Sequence, residues 1–302
     1  MKIGIITVRD RTYHPNQRLG EAAKRRGHHV SLIHPYQVWP ALGLGGAGLT
    51  RHPEWRNPDV VLPRQGATIG DGCLPLIRQF GLMGIPVVNT LEAVLQAKHQ
   101  FFTLQVLKAA HISIPDTVFI NSQAGFEPAL KTLEGFPVVI KSASGRQGEG
   151  VFLVENASQA EAVLRERLNK GKGLLIQHYM PPAGRTDVRV FVLGGRVAGA
   201  MELTPESGDF RSNYHLTGRS LARALTPEMA GTALKSASAI GLEIAGVDLI
   251  VDQSGRVYVI EVNYAPGFRG LEAATGLDIA DRIVRYLEDN YGERNPGYEP
   301  GT

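Results

Sequence analysis

The sequence has little cysteine, little excess charge and no long apolar run. Cys73 is the one cysteine in 302 residues, which excludes an internal disulfide framework and fits a reducing compartment. The net charge is +3, from 32 basic and 29 acidic residues without a basic run, so the composition does not predict nucleic-acid binding. Apolar runs are too short for a membrane span or a signal peptide. We therefore expect a cytoplasmic protein without nucleic-acid or membrane partners, and we expect a homo-oligomer.

The composition is that of a globular protein, with 43% hydrophobic and 20% charged residues. The chain is long enough for two or three packed units. Glycine is abundant, at 35 residues, which favours tight loops or close approaches of the backbone to a ligand.

The first third of the chain predicts an α/β domain. "KIGIITV" is a continuous apolar run, as expected for a strand buried on both faces. "NQRLGEAAKRRG" predicts a helix that ends at Gly27, and "HHVSLIH" a second strand. This β-α-β order implies a parallel sheet. "DVVLP" and "PVVN" predict further strands, with a helix near "CLPLIRQFGLMG" between them, in which Cys73 is a packed residue.

The remainder predicts two mixed units after a helix from about Leu91 to Ala110. The first contains the strands "FPVVIK" and "GVFLVE", the helix "SQAEAVLRERLNKG" and the strand "LLIQHYM". The second contains the strand-turn-strand "DVRVFVLGGRVAGAMEL", the helix "TPEMAGTALKSASAIG", the hairpin "GVDLIVDQSGRVYVIEV" and the helix "DIADRIVRYLEDNY".

"GLGGAG" at Gly43 to Gly48 matches the dinucleotide-binding pattern G-x-G-x-x-G. That pattern requires a strand before it and a helix after it. Pro40 precedes the match, and Arg51, His52 and Pro53 follow it. We therefore favour a flexible loop.

A glycine-rich loop joins two predicted strands in "KSASGRQGEGV". Lys141 ends the first strand, and Gly145, Gly148 and Gly150 lie in the turn. Glycines let backbone N–H groups approach phosphate oxygens, and a lysine adds a point charge. The lysine precedes the glycines, unlike in a Walker loop. A phosphate-binding loop and an ordinary glycine-rich hairpin both remain open.

Three oxygen-bearing side chains meet in the last predicted hairpin. Glu261 and Asn263 share one face of their strand because side chains alternate. A two-residue loop at Ser254-Gly255 would place Asp248 directly opposite Glu261, with Cβ atoms about 5 Å apart. Carboxylates this close repel unless a cation lies between them. A solvated face is the alternative, but both strands are otherwise apolar, so we favour a Mg²⁺ site that also takes phosphate oxygens.

Three arginines are further candidates. In "GDFRSN", Arg211 stands two residues before Asn213 and could neutralise a transferring phosphoryl group. Arg64 follows "DVVLP" at the carboxyl end of a strand, and Arg269 follows the turn "NYAPGF". Arginine can hold a substrate carboxylate with two parallel hydrogen bonds. For each of the three, an ordinary surface position is equally open.

The order of these motifs resembles the ATP-grasp superfamily and, more closely, the RimK-like α-L-glutamate ligases. The strongest matches are "PVVIKSASGRQGEGV", "QHYM", "TDVRVFVLGGRV", "GDFRSNYH", "AGVDLI" and "IEVNYAPG". The resemblance covers nearly the whole chain. It implies an α/β and α+β fold: a parallel-sheet pre-ATP-grasp domain followed by an ATP-grasp fold of two α+β subdomains. The expected boundaries are 1–95 for the first domain, 96–180 for the central or lid subdomain, 181–291 for the C-terminal subdomain and 292–302 for a flexible tail.

The resemblance also implies roles for particular residues. ATP would lie between the two α+β subdomains, and two Mg²⁺ or Mn²⁺ ions would bridge its phosphates. The implied catalytic residues are Lys141, Arg211 and Asn213. The implied nucleotide contacts are Lys141, the lid residues Gly145, Gln147, Gly148 and Gly150, the hinge residues Gln177, His178, Tyr179 and Met180, then Asp187, Arg211, Ser212 and Asn213. The implied metal ligands are Asp248, Glu261 and Asn263.

This sequence departs from the family pattern at four positions. His178 stands where relatives usually have an acidic residue. Gln100 aligns with a helix lysine that usually touches ATP, and Lys98 is a candidate substitute. Leu203 stands where many relatives have arginine, and Arg269 where many have an acidic residue. The last two changes bear on the amino-acid or acceptor pocket.

The resemblance implies an ATP-dependent carboxylate-amine ligase that works through an acyl phosphate and releases ADP. It would add glutamate or a similar amino acid to a peptide, protein or small-molecule acceptor. An ATP-binding module with lost or changed ligase activity is the alternative, suggested by Gln100 and His178. A dinucleotide oxidoreductase ranks last, because it leaves Asp248, Glu261 and Asn263 unexplained.

Overall fold

A computed structural model of the chain describes residues 1–43, 46–50, 58–64, 70–143, 150–204 and 220–292. The predicted tail lies outside these residues except for Gly292. No helix in the described part is long and apolar enough to cross a membrane. The strands and helices are, in chain order, β1 Lys2–Ile6, α1 His14–Arg25, β2 His29–Ile33, β3 Trp39–Gly43, β4 Gly46–Thr50, β5 Val60–Pro63, α2 Leu74–Leu82, α3 Leu91–Lys98, α4 Gln100–Ala109, β6 Thr117–Ile120, α5 Phe126–Thr132, β7 Val138–Ser142, β8 Val151–Val154, α6 Ala157–Arg167, β9 Leu174–His178, β10 Thr186–Leu193, β11 Arg196–Leu203, β12 Ser220–Ala222, α7 Pro227–Ile240, β13 Ile244–Val251, β14 Val257–Asn263, α8 Arg269–Thr275 and α9 Ile279–Tyr291.

The N-terminal sheet has the order β2-β1-β5, and its strands are parallel, as the β-α-β pattern predicts. Apolar side chains fill both faces of β1, and Gly27 follows α1 with a positive φ of 75°. Cys73 is fully buried in the core, as predicted. The strand predicted at "PVVN" is wrong, because Val87 forms only a single bridge to Val61. Pro86 has no N–H group for a strand ladder, and the side chain of Asn89 bonds to backbone groups of the five-stranded sheet instead.

"GLGGAG" lies mostly in strands, so the prediction of a flexible loop is wrong. Gly43 ends β3 and pairs with Gly46, the first residue of β4; Leu44 and Gly45 lie outside the described residues. The buried side-chain amide of Gln79 on α2 donates to the carbonyls of Ala41 (2.9 Å) and Gly48 (2.7 Å). This tertiary contact holds the hairpin despite its glycines. The next element that the structure describes after β4 is the strand β5, whereas a dinucleotide site requires a helix there.

The single helix predicted from Leu91 to Ala110 is two helices. The chain breaks at His99, whose backbone is extended, and the His99 ring accepts a hydrogen bond from the Phe102 N–H. The Gln100 N–H donates to the carbonyl of Ala143, just after β7 (2.8 Å). The break therefore brings the start of α4 against the second sheet.

Two antiparallel sheets make up the rest of the chain. The four-stranded sheet has the order β6-β9-β7-β8, with α5 and α6 packed on it; β6 and α5 are not predicted by the sequence patterns. The five-stranded sheet has the order β12-β11-β10-β13-β14. One of its faces packs on α7, α3 and α4, which continue the core of the N-terminal unit.

Asn89 ties the N-terminal unit to the five-stranded sheet. Its side chain is 2% exposed and makes four hydrogen bonds to backbone groups. The amide nitrogen donates to the carbonyls of Ile244 (2.7 Å) and Tyr264 (2.8 Å). The amide oxygen accepts from the N–H groups of Glu243 (2.8 Å) and Ile244 (2.9 Å). The ends of β13 and β14 are thus held by a single side chain from another unit.

Ion pairs between α1 and the C-terminal helices reinforce this junction. Arg18 pairs with Glu272 (3.0 Å), and Arg26 pairs with Glu288 (2.5 Å). These side chains are partly exposed, so each pair contributes little alone, about 0–1 kcal/mol.

We expect Asn89→Ala to destabilise the protein by about 2–5 kcal/mol, because it leaves several buried backbone groups without partners. Urea unfolding monitored by circular dichroism measures this change. Asn290→Ala is the control, because Asn290 makes one exposed bond to Tyr286 and should change stability by less than about 0.5 kcal/mol. Equal stabilities of the two variants would contradict the role given to Asn89.

Candidate functional site

Asp248 on β13 pairs directly with Glu261 on β14, as predicted, but the turn is not the predicted one. Val251 pairs with Val257, so the loop has five residues, Asp252–Arg256, and not two. The carboxylate of Asp252 organises this loop by accepting from the N–H groups of Ser254 and Arg256.

A five-residue loop would by itself shift the pairing of the two strands by one residue, and a β-bulge restores the pairing of Asp248 with Glu261. Leu249 pairs with Val259 in the register set by the loop, and that register would place Ile260 opposite Asp248. The register shifts between Asp248 and Leu249, so that Ile260 is the extra residue and Glu261 faces Asp248. The two carboxylates therefore lie on one face because of the bulge.

Arg189 on β10 balances the charge of Asp248. The two residues are opposite each other in the sheet, and the guanidinium donates from Nε and Nη2 to the two carboxylate oxygens, each at 2.6 Å. Both side chains are largely buried, at 16% and 18% exposure. Burial alone would lower the pKa of Arg189, but the nearby carboxylate of Asp248 leaves that pKa raised. Alternation along β10 places Arg189 on one face of that strand, but its pairing with Asp248 depends on the strand order of the sheet, which no local sequence pattern gives.

Glu261 and Lys141 complete a cluster of four charged groups. Burial, and then the charge of Asp248, raise the pKa of Glu261, while Arg189, Lys141 and a hydrogen bond from Asn263 oppose that rise. Burial lowers the pKa of Lys141 to about 8, opposed chiefly by Glu261. Two carboxylates and two cations from different sheets thus balance each other with little solvent between them.

Lys141 on β7 is held in place by a neighbouring strand. Its ammonium donates to the side-chain oxygen of Gln177 on β9 (2.5 Å), and the amide of Gln177 donates to the hydroxyl of Thr117 (2.8 Å). Lys141 is 8% exposed. A side chain fixed in this way presents one positive charge at a defined point.

The base of the glycine-rich loop is closed by a backbone bond from Ser142 N–H to the Gly150 carbonyl (3.1 Å). Gly150 has a φ of 82°, and a Cβ there would lie 2.7 Å from the Ser142 hydroxyl. A glycine is therefore required at this position. Gly145, Gln147 and Gly148 lie outside the described residues, as do Arg211, Ser212 and Asn213.

Arg185, which the sequence analysis does not single out, connects the predicted hinge to Asp187. Its Nη2 donates to Asp187 (3.0 Å), its Nε lies 2.8 Å from the other carboxylate oxygen, and its Nη1 donates to the carbonyl of Met180. Asp187 is 4% exposed. This contact fixes the segment after β9 against the first residues of β10.

A cavity of about 140 Å³ lies between the four-stranded and five-stranded sheets. The structure brings together most of the described residues that were predicted to contact a nucleotide. Its lining combines apolar side chains from both sheets with Lys141, Asp248 and Glu261 of the charged cluster. The predicted residues that line it are Lys141, Gln177, His178, Tyr179, Met180, Asp187, Asp248 and Glu261, and the others include Gln100, Val139, Val151, Arg185, Leu203, Leu249 and Ile250.

Three other predicted residues lie elsewhere. Lys98 is not among the cavity-lining residues, and its ammonium pairs with Asp71. Arg64 is buried beside the turn that follows β14, where its Nη2 donates to the carbonyl of Pro266 (2.6 Å). Arg269 begins α8 and is exposed. Geometry thus gives no support to Lys98 as a nucleotide contact.

The oxygen donors fit a hard divalent cation. Asp248 and Glu261 supply carboxylates, and the Asn263 side chain lies within hydrogen-bond reach of Glu261. Within the described residues, no group of three His, Cys, Asp or Glu side chains offers a metal site, so this set relies on an amide as its third donor. Carboxylate and carbonyl oxygens suit Mg²⁺ and not softer metals.

We expect Arg189→Met to destabilise the protein in EDTA by about 3–5 kcal/mol, because removing one partner leaves a buried charge without compensation. Adding Glu261→Gln should recover part of this loss by removing the second carboxylate. Thermal unfolding of both variants measures these effects.

Arg165→Met is the matched control, because Arg165 pairs with Glu161 at the surface and is 76% exposed. If Arg189→Met and Arg165→Met unfold at the same temperature, Arg189 does not balance the cluster.

Comparisons with known proteins agree with this architecture. Residues 1–94 match the family described as the RimK PreATP-grasp domain, and residues 97–287 match the RimK-like ATP-grasp domain. The chain is 38% identical over 293 residues to the "Probable alpha-L-glutamate ligase" of Thioalkalivibrio sulfidiphilus, covering 96% of each chain.

Solved structures show the same fold. A RimK domain ATP-grasp protein from Sphaerobacter thermophilus superposes with a TM-score of 0.73 at 24% identity, covering 95% of this chain and 99% of that one. The ATP-grasp ligase PsnB, complexed with a minimal precursor, Mg and ADP, superposes with a TM-score of 0.71 at 18% identity, covering 95% and 96%. With both domain matches and this near-complete overlap, the chain belongs to the RimK-like ATP-grasp ligase family.

Proposed function

We propose that this protein is an ATP-dependent carboxylate-amine ligase that forms an amide bond through an acyl phosphate and releases ADP. Its substrates are glutamate or a similar amino acid and a peptide, protein or small-molecule acceptor. The observation that carries the proposal is the Asp248–Glu261 pair, which faces a cavity beside the buried Lys141. The relative named as an alpha-L-glutamate ligase supports glutamate as the amino acid.

The cavity suits a nucleotide because both apolar and charged side chains line it. Val139 and Val151 come from one sheet and Leu249 and Ile250 from the other, and such side chains can cover both faces of an adenine ring. The hinge residues Tyr179 and Met180 line the same cavity. Lys141, one of the charged residues, suits the phosphates.

Asp248, Glu261 and Asn263 would hold Mg²⁺, which when bound would neutralise part of the phosphate charge. PsnB was solved with Mg and ADP. Arg189 contacts Asp248 and fixes the direction of its carboxylate, as outer-shell partners do for ligands in other metal sites.

The proposed chemistry consists of two displacements. A carboxylate oxygen of one substrate attacks the γ-phosphorus of ATP, the bond to the β-phosphate oxygen breaks, and ADP leaves. The amine of the other substrate then attacks the acyl carbon, the bond to the phosphate oxygen breaks, and the nitrogen loses a proton. Lys141 offsets the repulsion between anions in the first step. Arg211 and Asn213 stay predictions for the same role.

A second function is favoured by one observation. Gln100 lines the cavity where the family pattern has a lysine, and Lys98 is paired with Asp71. A cation that usually contacts ATP is therefore missing from the described part of the cavity. An ATP-binding protein with changed ligase activity is the alternative function.

An ADP-release screen across amino acids and acceptors, followed by mass spectrometry of the products, separates the two functions. A ligase gives ADP release that depends on both substrates, together with a product whose mass shows loss of one water. Nucleotide binding without any such product would support the alternative.

We expect Glu261→Gln to fold normally but to lower turnover at least about 100-fold, because even outer-shell changes at metal sites cost about 10–100-fold. Steady-state ADP release over a range of Mg²⁺ concentrations measures this. Glu161→Gln on the exposed face of α6 is the control. Unchanged turnover of Glu261→Gln at limiting Mg²⁺ would contradict its assignment as a metal ligand.

We expect Gln100→Lys to bind ATP about 10-fold more tightly, because a charge-assisted hydrogen bond to phosphate contributes about 1.5–3 kcal/mol. Titration calorimetry measures the affinity. Gln123→Lys adds the same charge at an exposed position outside the cavity and should bind ATP like the wild type. Equal or weaker binding by Gln100→Lys would show that another group already supplies the contact.

A further inference from the structure

Arg64 is buried with much of its hydrogen-bonding capacity unused. The side chain is 9% exposed, and its Nη2 donates to the Pro266 carbonyl. Nε and Nη1 are buried without a hydrogen-bond partner in the described part of the chain. A guanidinium has five N–H donors, and leaving buried donors unpaired costs about 1–3 kcal/mol each. Such a group is expected to have a ligand.

The ring of Phe268 contacts both Arg64 and a second residue, His14, that has an unpaired polar atom among the described residues. The Arg64 guanidinium carbon lies 5.8 Å from the centre of the Phe268 ring. The ring of His14 meets Phe268 edge-on, with centroids 5.6 Å apart. His14 Nδ1 is buried and, among the described residues, has no partner, while Nε2 faces Glu272 at 3.5 Å. Two residues from the N-terminal unit thus flank one ring from the turn after β14.

The start of α1 adds positive potential at this point. His14 is the first of its 12 residues, its N-cap Tyr13 provides no side-chain cap, and its first turn has no acidic residue. The positive end of a helix favours an anion, although Pro15 in this first turn contributes no N–H group. Tyr13 also lies close enough to Arg64 to influence its guanidinium electrostatically.

The nearby acidic side chain does not neutralise this region. Glu272 already accepts a hydrogen bond from Arg18 (3.0 Å), and its other oxygen accepts from the N–H groups of Ile279 and Ala280. Burial lowers the pKa of Arg64 to about 10, so the guanidinium still carries its charge at neutral pH. No carboxylate in the described residues pairs with Arg64.

From this geometry we infer that Arg64, His14 and the start of α1 form a carboxylate-binding subsite for the amine-donating amino acid. The inference rests on the proposed ligase function and names the part of the site that selects the amino acid. The carboxylate that becomes phosphorylated must reach the cavity beside Lys141, whereas Arg64 and His14 are not among the residues that line that cavity. The bound carboxylate is therefore one that does not react, and it leaves the amine free to attack.

Calorimetric titration of L-glutamate into the protein tests this, with Mg²⁺ and a non-hydrolysable ATP analogue present. We expect Arg64→Met to weaken binding at least 10-fold, and His14→Ala to weaken it about 3-fold to 10-fold, from the ordinary strengths of charged and neutral hydrogen bonds. Arg78→Met is the matched control, because Arg78 pairs with Glu92 on an exposed surface, and it should bind glutamate like the wild type.

Two glutamate analogues identify which carboxylate is bound. Isoglutamine replaces the α-carboxylate by an amide, and glutamine replaces the γ-carboxylate. The wild type should bind one of them less tightly than glutamate, and Arg64→Met should bind that analogue and glutamate alike. This loss of discrimination would not follow if Arg64 only supported the fold.

Arg64→Lys and His14→Ala replace Arg64→Met as the test if Arg64→Met does not fold by circular dichroism. The subsite would be overturned if the folded variants bind glutamate as tightly as the wild type. It would also be overturned if the wild type binds all three compounds equally or does not bind glutamate. ADP release is measured separately. Glutamate binding without ligation in the acceptor screen would refute the proposed ligase and leave the subsite standing.

Discussion

The placement of Asp248 directly beside Glu261 is the constraint on which the rest of the site depends. Two buried carboxylates at neighbouring positions repel, and the chain offsets this with Arg189 from the same sheet and Lys141 from another. Because the second cation comes from the four-stranded sheet, the two sheets must face each other at this point. The cavity between them follows from that arrangement.

The turn after β14 is where the units of the protein meet. Asn263 stands beside Glu261, the Tyr264 carbonyl accepts from Asn89, the Pro266 carbonyl accepts from Arg64, and Phe268 contacts His14. The N-terminal unit is therefore fixed to the same seven-residue stretch that ends with Arg269 and begins at the candidate metal site. Space is tight as well, since a Cβ on Gly246 would lie 2.7 Å from Pro266. If Arg64 binds a substrate as proposed, such packing would hold that substrate in a fixed position relative to the candidate metal site.

Local patterns predicted the elements well where a single periodicity decides the structure. The β-α-β start, the hairpins and the pairing of Asp248 with Glu261 follow from alternation and turn residues. The predicted pairing of Asp248 with Glu261 was right although the predicted two-residue loop was wrong. The real loop has an odd number of residues, and the extra residue Ile260 in the bulge restores the predicted register. Bulges depend on contacts across the sheet and leave no clear local signal.

The residues missed by sequence reasoning are those whose roles depend on tertiary contacts. Arg189 can pair with Asp248 because β10 lies beside β13, and the order of elements along the chain does not specify that neighbour. The break at His99 and the hairpin over "GLGGAG" are supported by Ala143 and Gln79, which are distant in sequence. Arg64 was expected at a strand end, but its burial and its unpaired donors were visible only in three dimensions.

A crystal structure of the protein with Mn²⁺ and a non-hydrolysable ATP analogue tests the central claim most directly, because anomalous scattering identifies the manganese positions. We expect Mn²⁺ bound to Asp248 and Glu261, phosphates against Lys141, and the base between the apolar side chains of the two sheets. Manganese or nucleotide bound elsewhere, with Asp248 and Glu261 contacting neither, would contradict it.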